Sequence, residues 1–365
     1  MKLALRELVR RPGRFVTATA ILTLIAILLM FLGGLLDGLI ATSTGAVRAQ
    51  AGDVVVYSDT SRSSFLRSRI EPDVRAAIEA TEGVDEVGGL GVGLIGARVP
   101  GNGPRDLADV ALWGYELAPL GVPVPPSPGE VYADDVLRSD GVELGDELLL
   151  GPARTPVTVV GWVSDTSFNG QGGLWTDLAT WRDVLLANRP GAGLADGVVQ
   201  ALVVSGPGTP GQTAAAVTRT PGVTALTIDE AVDAIPGVTE QRTTFNQILG
   251  VTVVIALVVI ALFFALLTVE RTSLYGVLKA IGARSGTLFL GLVVQAVVVV
   301  AVASVLAGAA VVVLDLVIPP GSIPLSISAA RIVSSLVSLL VAAVVGCAFS
   351  LRRVLRVDPA SALGS

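Results

Sequence analysis

The stretch TTFNQILGVTVVIALVVIALFFALLTV, residues 243–269, runs for 27 positions without a charge. About 20 apolar residues in an α-helix cross the hydrocarbon core of a bilayer, so this stretch is long enough to span one. Three more meet the same test: Phe15–Leu36 with 22 residues, Ser285–Leu314 with 30 and Ile332–Leu351 with 20. For any one of them the competing reading is a buried core helix. The first is too long in its apolar part for a cleaved signal peptide, and Gly33-Gly34-Leu35-Leu36-Asp37 lacks a small-x-small cleavage pattern. Across all 365 residues, 52% are hydrophobic and 15% charged, with a mean hydropathy of +0.72. That composition argues against a purely cytosolic enzyme.

The charges are segregated. Residues 37–242 hold 27 of the 31 acids and 13 of the 25 bases, a balance of −14, and the remaining 159 residues carry +8. Residues 1–14 (Lys2, Arg6, Arg10, Arg11 and Arg14 against Glu7), 270–284 (Arg271, Lys279 and Arg284 against Glu270) and the tail (Arg352, Arg353 and Arg356 against Asp358) are basic. In a four-span topology these fall on one side, and the positive-inside rule makes that side cytoplasmic. The expected protein sits in a bacterial inner or plasma membrane with both termini cytoplasmic. It has four transmembrane helices and a large α+β extracytoplasmic domain inserted between helices 1 and 2. The expected order is a cytoplasmic amphipathic helix (1–14), transmembrane helix 1 (15–36), the external domain (37–242), transmembrane helix 2 (243–269) and a cytoplasmic helix (270–284). Transmembrane helix 3 (285–314), an external loop (315–331), transmembrane helix 4 (332–351) and a cytoplasmic tail (352–365) complete it.

Residue types exclude several chemistries. Histidine is absent, which removes Ser-His-Asp triads, Cys-His pairs and His-containing zinc sites. Cys347 stands alone, so the external domain must be stable without an intrachain disulfide. The acidic insertion argues against nucleic acid as a partner. No G-x-x-x-x-G-K-[ST] motif is present, and Gly170-Gln171-Gly172-Gly173 lacks the Lys-Ser/Thr that a phosphate loop needs. No catalytic residue, metal site or cofactor is expected on this chain, and any ATP hydrolysis must come from another.

Within 37–242, Val54–Tyr57, Val157–Val163 and Ala201–Val204 read as strands and Glu71–Thr81 as a helix. Residues 76–84 (AAIEATEGV) echo 215–223 (AAVTRTPGV), each reading as a helix end, a glycine stop and entry into a strand. Two such halves would pair into one split βαβ layer; chance similarity in an Ala/Val/Gly-rich chain is the alternative. The turn-rich residues 100–200 read as a second, mostly β subdomain.

Two basic stretches are amphipathic. Residues 2–11 should lie at the inner interface before Pro12-Gly13. In 270–284, Leu274, Val277, Leu278 and Ile281 form one apolar helical stripe, with Arg271, Tyr275 and Lys279 on the adjacent face. Such a helix lies on the membrane or docks into a groove of a partner. A helix running from Pro236-Gly237 to Glu270 would be roughly 50 Å long against a core of about 30 Å. Its polar start, Glu240 to Gln247, would then form a stalk joined to the external domain.

The topology, Leu5-Arg6-Glu7-Leu8 with Pro12-Gly13-Arg14, Glu270-Arg271 before Gly276-Val277-Leu278-Lys279-Ala280-Ile281-Gly282-Ala283, and the terminal Val357-Asp358-Pro359-Ala360-Ser361-Ala362-Leu363 resemble the four-span permeases of the MacB/FtsX-type ABC transporter superfamily. Asp177-Leu178-Ala179-Thr180-Trp181-Arg182 and Ile235-Pro236-Gly237-Val238 look most like the DevC and HrtB (haem exporter) branch. The resemblance implies a permease homodimer bound to two copies of a separate ABC ATPase that carry ATP and Mg. It assigns ATPase coupling to Glu270, Arg271, Leu274, Tyr275, Gly276, Leu278, Lys279, Ile281 and Gly282. The function it implies is export or extraction of an amphiphilic substrate (haem, lipid or drug) at the outer leaflet of the lipid membrane. The alternatives are an FtsX-like mechanotransmission regulator of an external cell-wall hydrolase and a membrane receptor without ATPase.

Haem iron is usually held by His, Met, Cys or Tyr. Met30 lies roughly 22 Å along the first span, in its outer half. Asp37 follows two turns later on nearly the same face, with Gly33 and Gly34 between to permit close helix approach. In a dimer, two such faces would clamp a flat hydrophobic ligand; the competing reading of Met30 is packing filler.

Overall fold

A computed structural model describes residues 12–103, 105–270, 277, 281, 285–318 and 323–355. The chain divides at Gly38/Leu39 and at Arg242/Thr243 into a helical unit and a β-rich unit. Among the described residues four helices are long and apolar enough to cross a membrane: Phe15–Arg48, Val238–Glu270, Phe289–Leu314 and Ala329–Phe349. They belong to α1 (Pro12–Arg48), α6 (Val238–Glu270), α7 (Ser285–Val317) and α8 (Ala329–Leu355).

In the helical unit, small residues let these helices meet. Ala26, Ala256, Ala296, Ala303, Ala307, Ala342 and Ala343 are buried with Leu22, Met30, Ile260, Phe264 and Val300 in one core. At Gly346 of α8 a Cβ would stand 3.0 Å from the Leu257 carbonyl oxygen of α6, so this crossing needs the small side chain. The opposite faces expose Leu24, Val254, Leu262, Val305, Val341 and Phe349. Helices apolar on every face suit lipid as solvent.

Several helix boundaries differ from the sequence reading, and α7 continues past Leu314 to Val317, shortening the expected 315–331 loop. Helix α1 continues past Leu36 to Arg48, because charge at Asp37 does not end a helix and Ala46 and Val47 are buried in the core of the β-rich unit. Helix α8 begins at Ala329, three residues before the uncharged run, and runs to Leu355. Helix α6 extends unbroken from Val238 to Glu270, directly after Gly237, whose φ of +91° favours glycine.

The β-rich unit holds β1 (Val54–Ser58), β2 (Glu86–Arg98), β3 (Leu107–Tyr115), β4 (Glu130–Asp134), β5 (Glu147–Leu150), β6 (Thr155–Val163), β7 (Gly172–Asp177), β8 (Ala201–Ser205) and β9 (Val223–Thr227). Its helices are α2 (Pro72–Glu79), α3 (Leu178–Asn188), α4 (Pro210–Val217) and α5 (Ile228–Asp233). The two echoing segments do build one split βαβ layer, in the order β2-β8-β1-β9 with every pair antiparallel. Helix α2 leads through Gly83 (φ +90°) to β2, and α4 through Gly222 (φ +83°) to β9. Val54, Val56, Ile78, Leu202, Val204 and Val217 are buried on its helix side.

Residues 100–200 are β-rich as expected, yet they are not a separate body. Strands β3, β7, β4, β6 and β5 join the same sheet, and pairing of Leu90–Arg98 with Leu107–Tyr115 closes a six-strand ring through β2. With 13 residues, β2 is long enough to pair Glu86–Leu90 with β8 and Leu90–Arg98 with β3, its last two residues also meeting β5. Closure removes the free edges that a separate small sheet would expose. Helix α3 packs on this ring where Gly91 and Gly114 leave room for Trp181, which is fully buried.

Candidate functional site

The four residues singled out on α1 have two different surroundings. Met30 is 1% exposed, within the core that α1 shares with α6, α7 and α8. Gly33, Gly34 and Asp37 instead meet the segment that leads into α8. A Cβ on Gly33 would stand 2.5 Å from Cδ and 2.9 Å from Nε of Arg331, so the arginine stem lies directly across the glycine. The Gly34 carbonyl accepts from the Ser326 N–H at 3.0 Å, and a Cβ there would stand 3.2 Å from the Ser326 oxygen. Asp37 receives two bonds from one guanidinium: Arg331 Nε donates to Oδ2 at 2.8 Å, and Nη2 donates to Oδ1.

Local chain chemistry sets this geometry. Arg331 lies in the first turn of α8, where its backbone N–H donates to the Ser328 hydroxyl at 3.1 Å, the capping contact of that helix. A planar guanidinium matches a carboxylate with two parallel bonds. The side chains are 22% and 30% exposed, so the pair is only partly hydrated. The close approach expected at Gly33 and Gly34 is made within this chain by residues 325–331. Arg331 was missed, although it is the only basic residue between 285 and 351 and so carries a recognisable signal.

Of the coupling residues, Glu270 ends α6 with its side chain exposed. Arg271, Leu274, Tyr275, Gly276, Leu278, Lys279 and Gly282 lie outside the described residues, as do residues 2–11. Val277 and Ile281 are described: the Ile281 N–H donates to the Val277 carbonyl at 3.1 Å, one helical turn, and both side chains are exposed. An open apolar groove of about 630 Å³ runs along α1 and α7, lined by Phe15, Val16, Thr19, Thr23, Leu24 and Leu306 among others. Among the described residues no three His, Cys, Asp or Glu side chains cluster to hold a metal ion.

The two stretches that suggested a branch have structural roles. Asp177 caps α3 by accepting from the Ala179 and Thr180 N–H groups at 2.9 and 3.0 Å, and Arg182 pairs with Asp196 at 3.1 Å. Ile235 is buried, and Pro236-Gly237 redirects the chain into α6.

Residues 246–359 match the model of the FtsX-like permease C-terminal family. Proteins from two strains of Staphylococcus epidermidis described as "Putative hemin transport system permease protein HrtB" are 19% identical over 371 residues, covering 100% of this chain and 99% of theirs. One of the same description from Staphylococcus haemolyticus is 30% identical over 111 residues, 30% of this chain and 31% of its own. Among solved structures, the periplasmic region of MacB from Actinobacillus actinomycetemcomitans is similar at a TM-score of 0.35 and 13% identity, over 52% of this chain and 95% of that one. The extracellular domain of the ABC-type transporter YknZ from Gram-positive bacteria is similar at a TM-score of 0.32 and 13% identity, over 48% and 98%. The family match falls on α6 to α8, and the full-length alignment includes α1 and the insertion that follows it. Residues 246–359 therefore carry the FtsX-like permease C-terminal match, and the chain along its whole length is similar to permeases described as HrtB.

Proposed function

We propose that this chain is an ABC transporter permease that couples ATP hydrolysis by a separate ATPase subunit to export or extraction of an amphiphilic substrate at the outer leaflet. The observation that carries the reading is helix α6, unbroken from Val238 to Glu270. Its first residues, Val238–Arg242, belong to the β-rich unit, and it ends where the 270–284 stretch begins. A continuous helix transmits displacement along its axis without a compliant joint. In this reading the β-rich unit is external, both termini are cytoplasmic, and two permease copies assemble with two ATPases.

The apolar stripe Leu274, Val277, Leu278 and Ile281 is the ATPase contact, since exposed apolar side chains at Val277 and Ile281 gain from a groove on a partner. At the other end of the span, Asp37 and Arg331 hold α1 against the start of α8. Parting this pair frees a guanidinium for a substrate carboxylate or phosphate. Hemin, which appears in the relatives' names, is a flat apolar molecule with carboxylates and fits that class. Met30 would reach such a ligand only after the helices separate, because it is buried among them.

The test is co-purification and ATPase stimulation. Leu278→Asp places a charge in the contact and should abolish capture of the ATPase while membrane insertion is retained. With the intact complex, a panel of haem, lipids, lipopeptides and drugs should show stimulation by amphiphiles. Capture of the ATPase by Leu278→Asp at the wild-type ratio would place the contact elsewhere.

A further inference from the structure

The β-rich unit contains a cavity of its own. A cavity of about 200 Å³ is lined by Ser63, Ser64, Phe65, Leu94, Phe168 and Ile235 among others. Its inner wall is aromatic. The rings of Phe65 and Phe168 stand 5.3 and 5.1 Å from that of Trp113, which is fully buried. Its rim is polar and held in uncommon backbone geometry. Arg62, Ser63 and Asn169 have φ of 52°, 55° and 53°, a left-handed conformation that non-glycine residues adopt when surroundings enforce it. One rim element is tied to α1, since the Asn169 and Gly170 N–H groups donate to the Ser43 and Thr42 carbonyls, both at 3.1 Å. Another, Ile235-Pro236, leads into α6.

The chain segment that supplies Ser63, Ser64 and Phe65 to the cavity is basic between Asp59 and Glu71. Residues 60–70 contain Arg62, Arg67 and Arg69 and no acid, within a segment whose balance is −14. Arg62 and Arg67 are exposed, and among the described residues neither has an ion-pair partner. Arg69 donates only to the backbone carbonyls of Ala192, Leu66 and Ser68. Asp233, two residues before Ile235, is engaged by Arg242 at 2.8 Å. Pockets for drug-sized ligands measure about 300–1,000 Å³, so this cavity takes an apolar segment rather than a whole large molecule.

We propose that the cavity between Phe65, Phe168 and Ile235 binds the apolar tail of an anionic amphiphile whose carboxylate or phosphate head is held by Arg62 and Arg67. The occupant contacts the elements tied to α1 and leading into α6, so it is placed to report its presence to both helices. This assignment does not depend on which molecule passes the Asp37–Arg331 pair.

Tryptophan fluorescence tests it on the full chain in phosphatidylcholine vesicles. All four tryptophans lie between 113 and 181, and Trp113 lines the wall behind Phe65 and Phe168. Bromodecanoate, added as a free amphiphile, should quench this fluorescence saturably, whereas bromodecanol should quench only in proportion to its partitioning. In a second arm, vesicles containing tail-brominated phosphatidylglycerol ask whether a bilayer lipid is the source. Arg62→Gln with Arg67→Gln should weaken saturable quenching at least about tenfold, the loss expected for charge-assisted bonds. Ser64→Phe, which fills the cavity, should abolish it. Saturable quenching in either arm that needs both arginines supports the site and identifies the source. Quenching in neither arm, or quenching unchanged by the arginine pair or by Ser64→Phe, overturns it.

Discussion

Replacing Gly33 by alanine tests the junction of α1 and α8 through the sign of its effect. In an isolated helix this change stabilises by about 1 kcal/mol, because glycine is a poor helix former. Here the new Cβ would stand 2.5 Å from Arg331 Cδ and 2.9 Å from Nε, closer than real Cβ contacts come. The arginine stem must move. Its two bonds to Asp37 hold it in place, so movement breaks a partly buried, charge-assisted pair. Losing such bonds costs about 1.5–3 kcal/mol. The net expectation is a loss of about 0.5–2 kcal/mol. In an Arg331→Ala background the obstacle is gone, and Gly33→Ala should stabilise by about 1 kcal/mol. Unfolding of the detergent-solubilised chain measured for the four proteins of this cycle gives a coupling of about 1.5–3 kcal/mol. The reasoning fails if Gly33→Ala has the same sign and size in both backgrounds, since the glycine would then not be set by the arginine.

Ile248→Pro removes an N–H inside α6 and clashes one turn back, at about 3 kcal/mol or more; the complex should assemble and hydrolyse ATP yet lose substrate resistance, and normal resistance with a demonstrably kinked helix would refute force transmission. Ser139→Cys in a Cys347→Ala background should react with an impermeant thiol reagent on intact cells, whereas labelling only after the membrane is opened would reverse the topology. Partial desolvation of the surface residue Asp140, with Asp106 and Asp109 as negative neighbours, raises its carboxyl above the ordinary value of 3.8. A raised folded value means that ionisation opposes folding, so stability is lost as pH rises through it. Asp140→Asn should therefore raise the unfolding temperature at neutral pH and lose that advantage below about pH 3.8, as read by thermal melts across pH.

Local features were readable from the chain alone. Four uncharged runs sufficed for four long helices, because solubility in lipid is decided residue by residue along a helix. Both helix–glycine–strand echoes were legible, since a glycine at positive φ ends a helix through its own backbone freedom. Even the extent of α6, from after Pro236-Gly237 to Glu270, follows from a proline and a glycine at one end and the loss of apolar residues at the other. The folded chain decided what depends on distant partners. Arg331 and Asp37 are 294 positions apart, so no spacing rule could pair them, and the small Gly33 beside the acid had no visible partner until α8 supplied one. Met30 read more readily as packing than as a ligand, and the packing of α6, α7 and α8 against α1 is what buries it. Closure of the β-ring through β2 is of the same kind: a 13-residue strand shows its length in the sequence, but which neighbours share it depends on where every other edge has found a partner.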